Sequence, residues 1–268
     1  MFKYAVLFPT LMEEEKFSIQ NENSFVIQGS ILRPKKTGKY PTVVFSYDLL
    51  DAADTQYLKE LSKLYLDAGH AVIKFDPTNS FGKSDGRPEN VTVLQRSKDL
   101  KLVIEYAKRR SYVSENKLLI IGFGFGGMAA LQLEGFDALA KALILVNTPS
   151  QIDDTAWTRF NDRDLMRVKL KRYFHVLRDG KEVRINYFFL EDGYRLDMFR
   201  CARNLRTPVL YLVSADDTIV SRANSERLFE RTNSKKEFDV VQGWNHDLGK
   251  KQVQQLFEKA SLFLKKQR

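Results

Sequence analysis

Residues 118–133, LLIIGFGFGGMAALQL, carry no charge and change conformational preference part-way along. Residues 118–122 are aliphatic on both alternating faces, so a strand there must be covered on both sides. Glycines follow at once, and 126–133 then reads as a helix. A doubly buried strand feeding straight into a helix is a unit of a mainly parallel sheet with helices packed over it.

The rest of the chain repeats that unit. KFSIQ and FVIQGSILRP, separated by the turn-rich NENS, predict an opening hairpin. Strands are expected at 42–46 (TVVFS), 71–75, 142–146, 208–213 and 237–241, and helices at 55–68 (ended by Gly69), 93–110, 222–231 and the C-terminal tail. The fold class is therefore α/β, with about eight strands in a mainly parallel sheet and helices on both faces. Only 150–206 breaks the alternation, with a charged, aromatic-rich stretch and a hairpin turn at Arg178-Asp179-Gly180-Lys181. Strands lie on both sides of it, so it is expected to be a lid inserted within a single domain spanning 1–268.

Composition narrows the function classes. A single cysteine among 268 residues makes no internal disulfide, and with three histidines it offers no zinc spacing, so no metal and no cofactor are expected. A reducing, cytoplasmic setting fits. MFKYAVLFPTLMEEEK is too short in its apolar stretch for a membrane span and too acidic after it for a signal peptide. The net charge of +9 favours anions at long range, with lysines concentrated in the tail, whose apolar residues from Val253 to Leu264 follow helical spacing. No nucleic-acid motif accompanies them, and they read as a solvated helix face.

The chemistry centres on residues 122–126. A strand, a tight Gly-x-x-x-Gly turn and a helix form the setting in which G-x-S-x-G presents a serine nucleophile. Here the sequence is Gly-Phe-Gly-Phe-Gly, and the middle position, Gly124, has no oxygen.

At this point the chain resembles the α/β-hydrolase superfamily, in particular its esterase and acyl-hydrolase branch with a short lid, described as serine-aminopeptidase-like. The resemblance covers nearly the whole length. It implies an acid in a D-x-x-V motif, met by Asp217-Thr218-Ile219-Val220 with Asp216 as the alternative, and a base before the last helix, met by His246. VIKFDPTNSFGKSDG and FLEDGYRLDMFRCARNLRTPVL are similar to two further stretches of that branch. His70 and His175 have no such setting, and Cys201 reads as a small buried hydrophobe.

The chain departs from this pattern twice. Besides Gly124, the resemblance calls for His-Gly after TVVFS, where Tyr47-Asp48 stands and no His or Gly occurs from Ser46 to Asp54. A desolvated carboxylate beside a developing oxyanion opposes it by several kcal/mol. Loss of both elements favours a degenerate member, a pseudoenzyme that binds a small apolar or ester-like molecule near Tyr47, Asp48 and Phe125 or is buried in a partner contact. Two alternatives stand beside it: His246 and Asp217 act as a general base without an acyl-enzyme, or the chain is a carboxylesterase with a displaced nucleophile such as Ser46. On the degenerate reading, Gly124→Ser restores at most weak turnover, because Tyr47-Asp48 still occupies the loop, and adding Tyr47→His with Asp48→Gly raises it. The aromatic residues of 150–206, Trp157 among them, would either roof a pocket or simply pack onto the sheet.

Overall fold

A computed structural model describes residues 12–178 and 180–267, so the first eleven residues of the N-terminal segment discussed above, together with Asp179 and Arg268, lie outside the described residues. Eight strands form one sheet in the order β1-β2-β4-β3-β5-β6-β9-β10. In chain order these are β1 (Met12–Gln20), β2 (Val26–Pro34), β3 (Tyr40–Ser46), β4 (Ala71–Asp76), β5 (Val113–Phe123), β6 (Ala142–Val146), β9 (Val209–Ser214) and β10 (Lys236–Val241). The opening hairpin joins antiparallel at one edge, and the strands from β4 to β10 pair in parallel.

The two-fold alternation of strand side chains divides the aliphatic runs between two cores. Val43, Phe45, Leu119, Ile121, Ile144 and Leu212 pack against α1 (Gln56–Asp67) and α8 (Lys250–Lys266). On the other face Val44, Ile120, Leu143, Leu145 and Tyr211 pack against α2 (Val93–Lys108), α3 (Gly124–Asp137) and α7 (Arg222–Arg231). Helix α8 buries Val253, Leu256, Ala260 and Phe263, the spacing of one helical face. Two of its lysines are tied to β10, Lys259 to Asp239 at 2.6 Å and Lys266 to Glu237 at 2.7 Å.

Between β6 and β9 the chain forms α4 (Asp162–Lys171), the hairpin β7 (Tyr173–Arg178) and β8 (Lys181–Asn186), α5 (Phe188–Arg195) and α6 (Met198–Asn204). Phe174, Ile185, Phe189, Leu190 and Cys201 from this stretch share one cluster with Ile120 and Phe125 of the sheet side. Helix α3 begins two residues earlier than the spacing predicts, because Gly124 takes a φ of +49° and the turn itself becomes the first helical residue. Among the described residues no helix is long and apolar enough to cross a membrane, and no group of three or more His, Cys, Asp or Glu could hold a metal ion.

Candidate functional site

Loops leaving the C-terminal ends of β3, β5, β9 and β10 carry Asp48, Gly124, Asp217 and His246 to one edge of the sheet, where parallel α/β sheets place their sites. The turn after β5 is compressed. A Cβ on Gly126 would lie 2.2 Å from the carbonyl oxygens of both Ser46 and Tyr47, so the β3 loop rests directly on the start of α3. That close approach seats the Asp48 carboxylate over Gly124, where a Cβ would lie 2.0–2.4 Å from the three carboxylate atoms.

Asp48 is fully engaged in that seat. Its Oδ1 accepts the backbone N–H groups of Leu49 (2.7 Å) and Phe125 (2.8 Å). Its Oδ2 lies 3.0 Å from Nε2 of His246, whose Nδ1 lies 2.9 Å from Oδ2 of Asp217. Asp217 Oδ1 in turn accepts the N–H groups of Ile219 and Val220 at 2.7 and 2.8 Å. The result is a carboxylate–imidazole–carboxylate chain in which the Asp217 side chain is 0% exposed, that of Asp48 11% and that of His246 13%. Burial alone would lower the His246 pKa, but the hydrogen bonds and charges of Asp217 and Asp48 outweigh it and raise the value to about 10. The raised pKa favours the imidazolium form of His246, in which both ring N–H groups donate to the flanking carboxylates.

The loop under Asp48 is held from behind by Arg96, which is only 2% exposed. Its Nη1 donates to the carbonyl oxygens of Tyr47 (2.8 Å) and Asp48 (3.2 Å), and its Nη2 to that of Leu49 (3.1 Å). Replacing it with methionine takes the guanidinium from three buried carbonyls, of which that of Asp48 keeps the Asp51 N–H at 3.3 Å, and Arg96→Met is expected to cost about 3 kcal/mol in urea denaturation. The Tyr47 hydroxyl donates to Asp76 Oδ1 at 2.6 Å, and Asp76 also accepts from the N–H groups of Ala53 and Lys83. Burial and the neighbouring Asp76 charge hold the Tyr47 phenol well above its ordinary range.

A cavity of about 360 Å³ opens on this cluster, lined by Asp48, Gly124 and His246 with Trp157 and Leu177 of the inserted stretch. The Trp157 ring meets that of His246 edge to face at 5.1 Å. Residues around Trp157 are pinned to the loop after β9 by the Thr155–Val220 bridge and by Ala156 N–H donating to Ile219 O at 2.8 Å.

Solved structures of similar fold cover nearly all of this chain. GrgF, an alpha/beta hydrolase from a Penicillium species, superimposes with a TM-score of 0.80 at 17% identity over 95% of this chain and 99% of its own. The fold is that of the α/β-hydrolases. Est1E from Butyrivibrio proteoclasticus, solved with bound ferulic acid, has a TM-score of 0.78 at 16% identity, over 92% of this chain and 98% of its own. In sequence, the chain is 24% identical over 228 residues to a polyketide transferase of Aspergillus fumigatus, a match covering 70% of this chain and 76% of that protein. No family model matches.

Within this α/β-hydrolase fold, the residues singled out from the sequence separate cleanly. Asp48, Gly124, Asp217 and His246 come together. The side chains of Tyr47 and Phe125, expected near a ligand, do not line the cavity: Tyr47 turns inward to Asp76, and the Phe125 ring packs on Trp157 and Phe189. The Ser46 hydroxyl is buried and donates to the Gly126 carbonyl at 2.7 Å. Asp216 accepts the N–H of Gly243 instead of meeting His246. His70 is half-buried with its ring edge to face with that of Tyr65, and His175 sits on the β7 hairpin. Cys201 is buried beside Gln132, and burial pushes its thiol up to about 11.

Several residues of the site, Asp51, Tyr57, Asn147 and Asp247 in the cavity wall and Arg96 behind it, are not marked by the sequence motifs, and two of them carry a signal that could have found them. Arg96 falls on the apolar face of α2, in phase with Val93, Leu100 and Val103, which was the available signal that its charge is buried. Asn147 directly follows β6, and its place at a strand's C-terminal end on the same edge as Gly124 was the other.

Proposed function

We propose that this chain is a degenerate relative of the serine esterases and acyl hydrolases, which binds a small molecule over the Asp48–His246–Asp217 cluster and forms no acyl-enzyme. One observation carries the reading: the Asp48 carboxylate fills the volume that a side chain at 124 would need and uses the N–H groups of Leu49 and Phe125. An acyl-transfer site needs a nucleophile in that volume and free N–H donors for the developing oxyanion. Asp48 is a poor substitute, because attack by a carboxylate on an ester gives an anhydride that is less stable than the ester itself. The raised pKa of His246 also works against its serving as a base.

The open cavity supports small-molecule binding, with the stretch between β6 and β9 acting as its lid and Trp157 as part of the roof. Relatives whose names record a polyketide and ferulic acid add weight to a compact organic ligand. The buried thiol of Cys201 fits a reducing, cytoplasmic setting.

The test is covalent labelling with a fluorophosphonate together with p-nitrophenyl ester turnover. The expected outcome is no adduct and no burst. A stoichiometric adduct on any serine near His246, Ser46 included, would replace this reading with that of an active esterase.

A further inference from the structure

We propose that the cavity selects a small organic cation that also carries a neutral oxygen acceptor. The inference rests on the reading of this cavity as a binding site and names the class of ligand it takes.

The first argument is charge. Asp48, Asp51 and Asp247 line the cavity, whereas the only cationic side chain among its lining residues is His246, already shared between Asp48 and Asp217. No lysine or arginine lines it among the described residues. The nearby Arg96 lies behind the Tyr47–Leu49 backbone, where its Nη groups donate to three carbonyls; its charge offsets part of that of Asp48 and Asp51 without lining the cavity, and Asp217 and Asp247 leave the carboxylates in excess. A recess with carboxylates in excess focuses a negative potential on whatever enters, and it does so in a chain whose overall charge is +9.

The second argument is the wall chemistry. Tyr57, Phe123 and Trp157 line the same space, and Tyr57 and Phe123 meet edge to face at 5.2 Å. Aromatic faces beside carboxylates suit an alkylammonium group, whose charge is spread and weakly hydrated. The Tyr57 hydroxyl donates to Asp51 Oδ2 at 2.7 Å, which fixes that carboxylate in the wall.

The third argument is independent of the acids. Asn147 also lines the cavity, is 3% exposed and holds a left-handed φ of +46°. Its Oδ1 accepts the Ser214 N–H at 2.7 Å, but its Nδ2 has no hydrogen-bond partner. A buried donor left unpaired is costly, and a ligand carbonyl removes that cost. The volume of about 360 Å³ suits a ligand of drug-fragment size.

Three benzamides of matched shape test this by calorimetry at low salt: cationic N-(dimethylaminoethyl)benzamide, neutral N-isopentylbenzamide and anionic N-benzoyl-β-alanine. The cation is expected to bind about tenfold more tightly than the neutral isostere, and the anion not at all. Asp247→Asn, on the exposed rim, should weaken the cation about threefold and leave the neutral compound unchanged. Asn147→Gly, which keeps the backbone geometry, should weaken cation and neutral compound alike. Equal or tighter binding of the neutral or anionic compound, insensitivity of the cation to Asp247→Asn, or no binding of any of the three would overturn the proposal. None of these amides is an activated acyl donor, so that failure is separate from labelling by a fluorophosphonate, which would overturn only the absence of an acyl-enzyme.

Discussion

Gly124→Ser alone destabilises the protein by about 2–4 kcal/mol and creates no esterase. Part of the cost is the backbone, since φ is +49° at this position and an L side chain is strained there. The larger part is steric. The new Cβ would fall 2.0–2.4 Å from a carboxylate that cannot simply swing aside, because two backbone N–H groups and His246 hold it. The sequence alone sets an expectation of at most weak turnover from this change, and the occupied seat supplies a steric reason for none. Asp48→Gly together with Gly124→Ser empties the volume and frees the N–H groups of Leu49 and Phe125, so the double variant should be more stable than Gly124→Ser and should be the first to react with a fluorophosphonate. Tyr47→His, in contrast, breaks the buried bond to Asp76 and is expected to cost stability without helping. Denaturation midpoints and labelling of the three variants check the order; a Gly124→Ser protein as stable as the parent would show that the seat is not filled.

The second large effect is alkaline. His246 has a folded pKa raised from 6.5 to about 10, so the stability its proton supplies is fully present below the unfolded value near 6.5. As pH rises towards 10 the unfolded chain has released the proton while the folded chain still holds it, and the contribution, several kcal/mol in size, is lost. Urea denaturation at pH 7 and pH 10 should record that fall, and imidazole NMR should place the His246 titration far above that of His70, whose value burial lowers. Asp48→Asn removes one of the two charges and should bring the His246 titration down. A His246 that titrates near 6.5 in the parent protein would contradict the doubly bonded imidazolium.

Much of this architecture was legible because it depends on periodicity. The runs TVVFS and LLIIG had to be buried on both faces, and the tail had to bury the residues from Val253 to Phe263. The positions of Asp48, Asp217 and His246 near one another followed from strand ends meeting at one edge. What the sequence did not hold was direction. Tyr47 and Asp48 are adjacent in one loop, yet one turns inward to Asp76 and the other over Gly124, a choice set by how Ser46 and Tyr47 carbonyls rest on Gly126. An aspartate there read as an obstacle to an oxyanion; in three dimensions its Oδ1 accepts both N–H groups that such an oxygen would need. Arg96 was hidden for a related reason, since its burial is set by three carbonyls of a loop some fifty residues away in sequence.

Asp48 and Gly124 share one side chain's worth of space, and that sharing orders past events. In any ancestor with serine at 124, a carboxylate could not have taken its present seat while the serine remained. The side chain at 124 therefore left before the carboxylate settled, or in the same step. With Asp48 bonded to Leu49, Phe125 and His246, serine can return only if the carboxylate leaves first or in the same step. Steric exclusion thus acts on the order of substitutions, as a pawl acts on a ratchet.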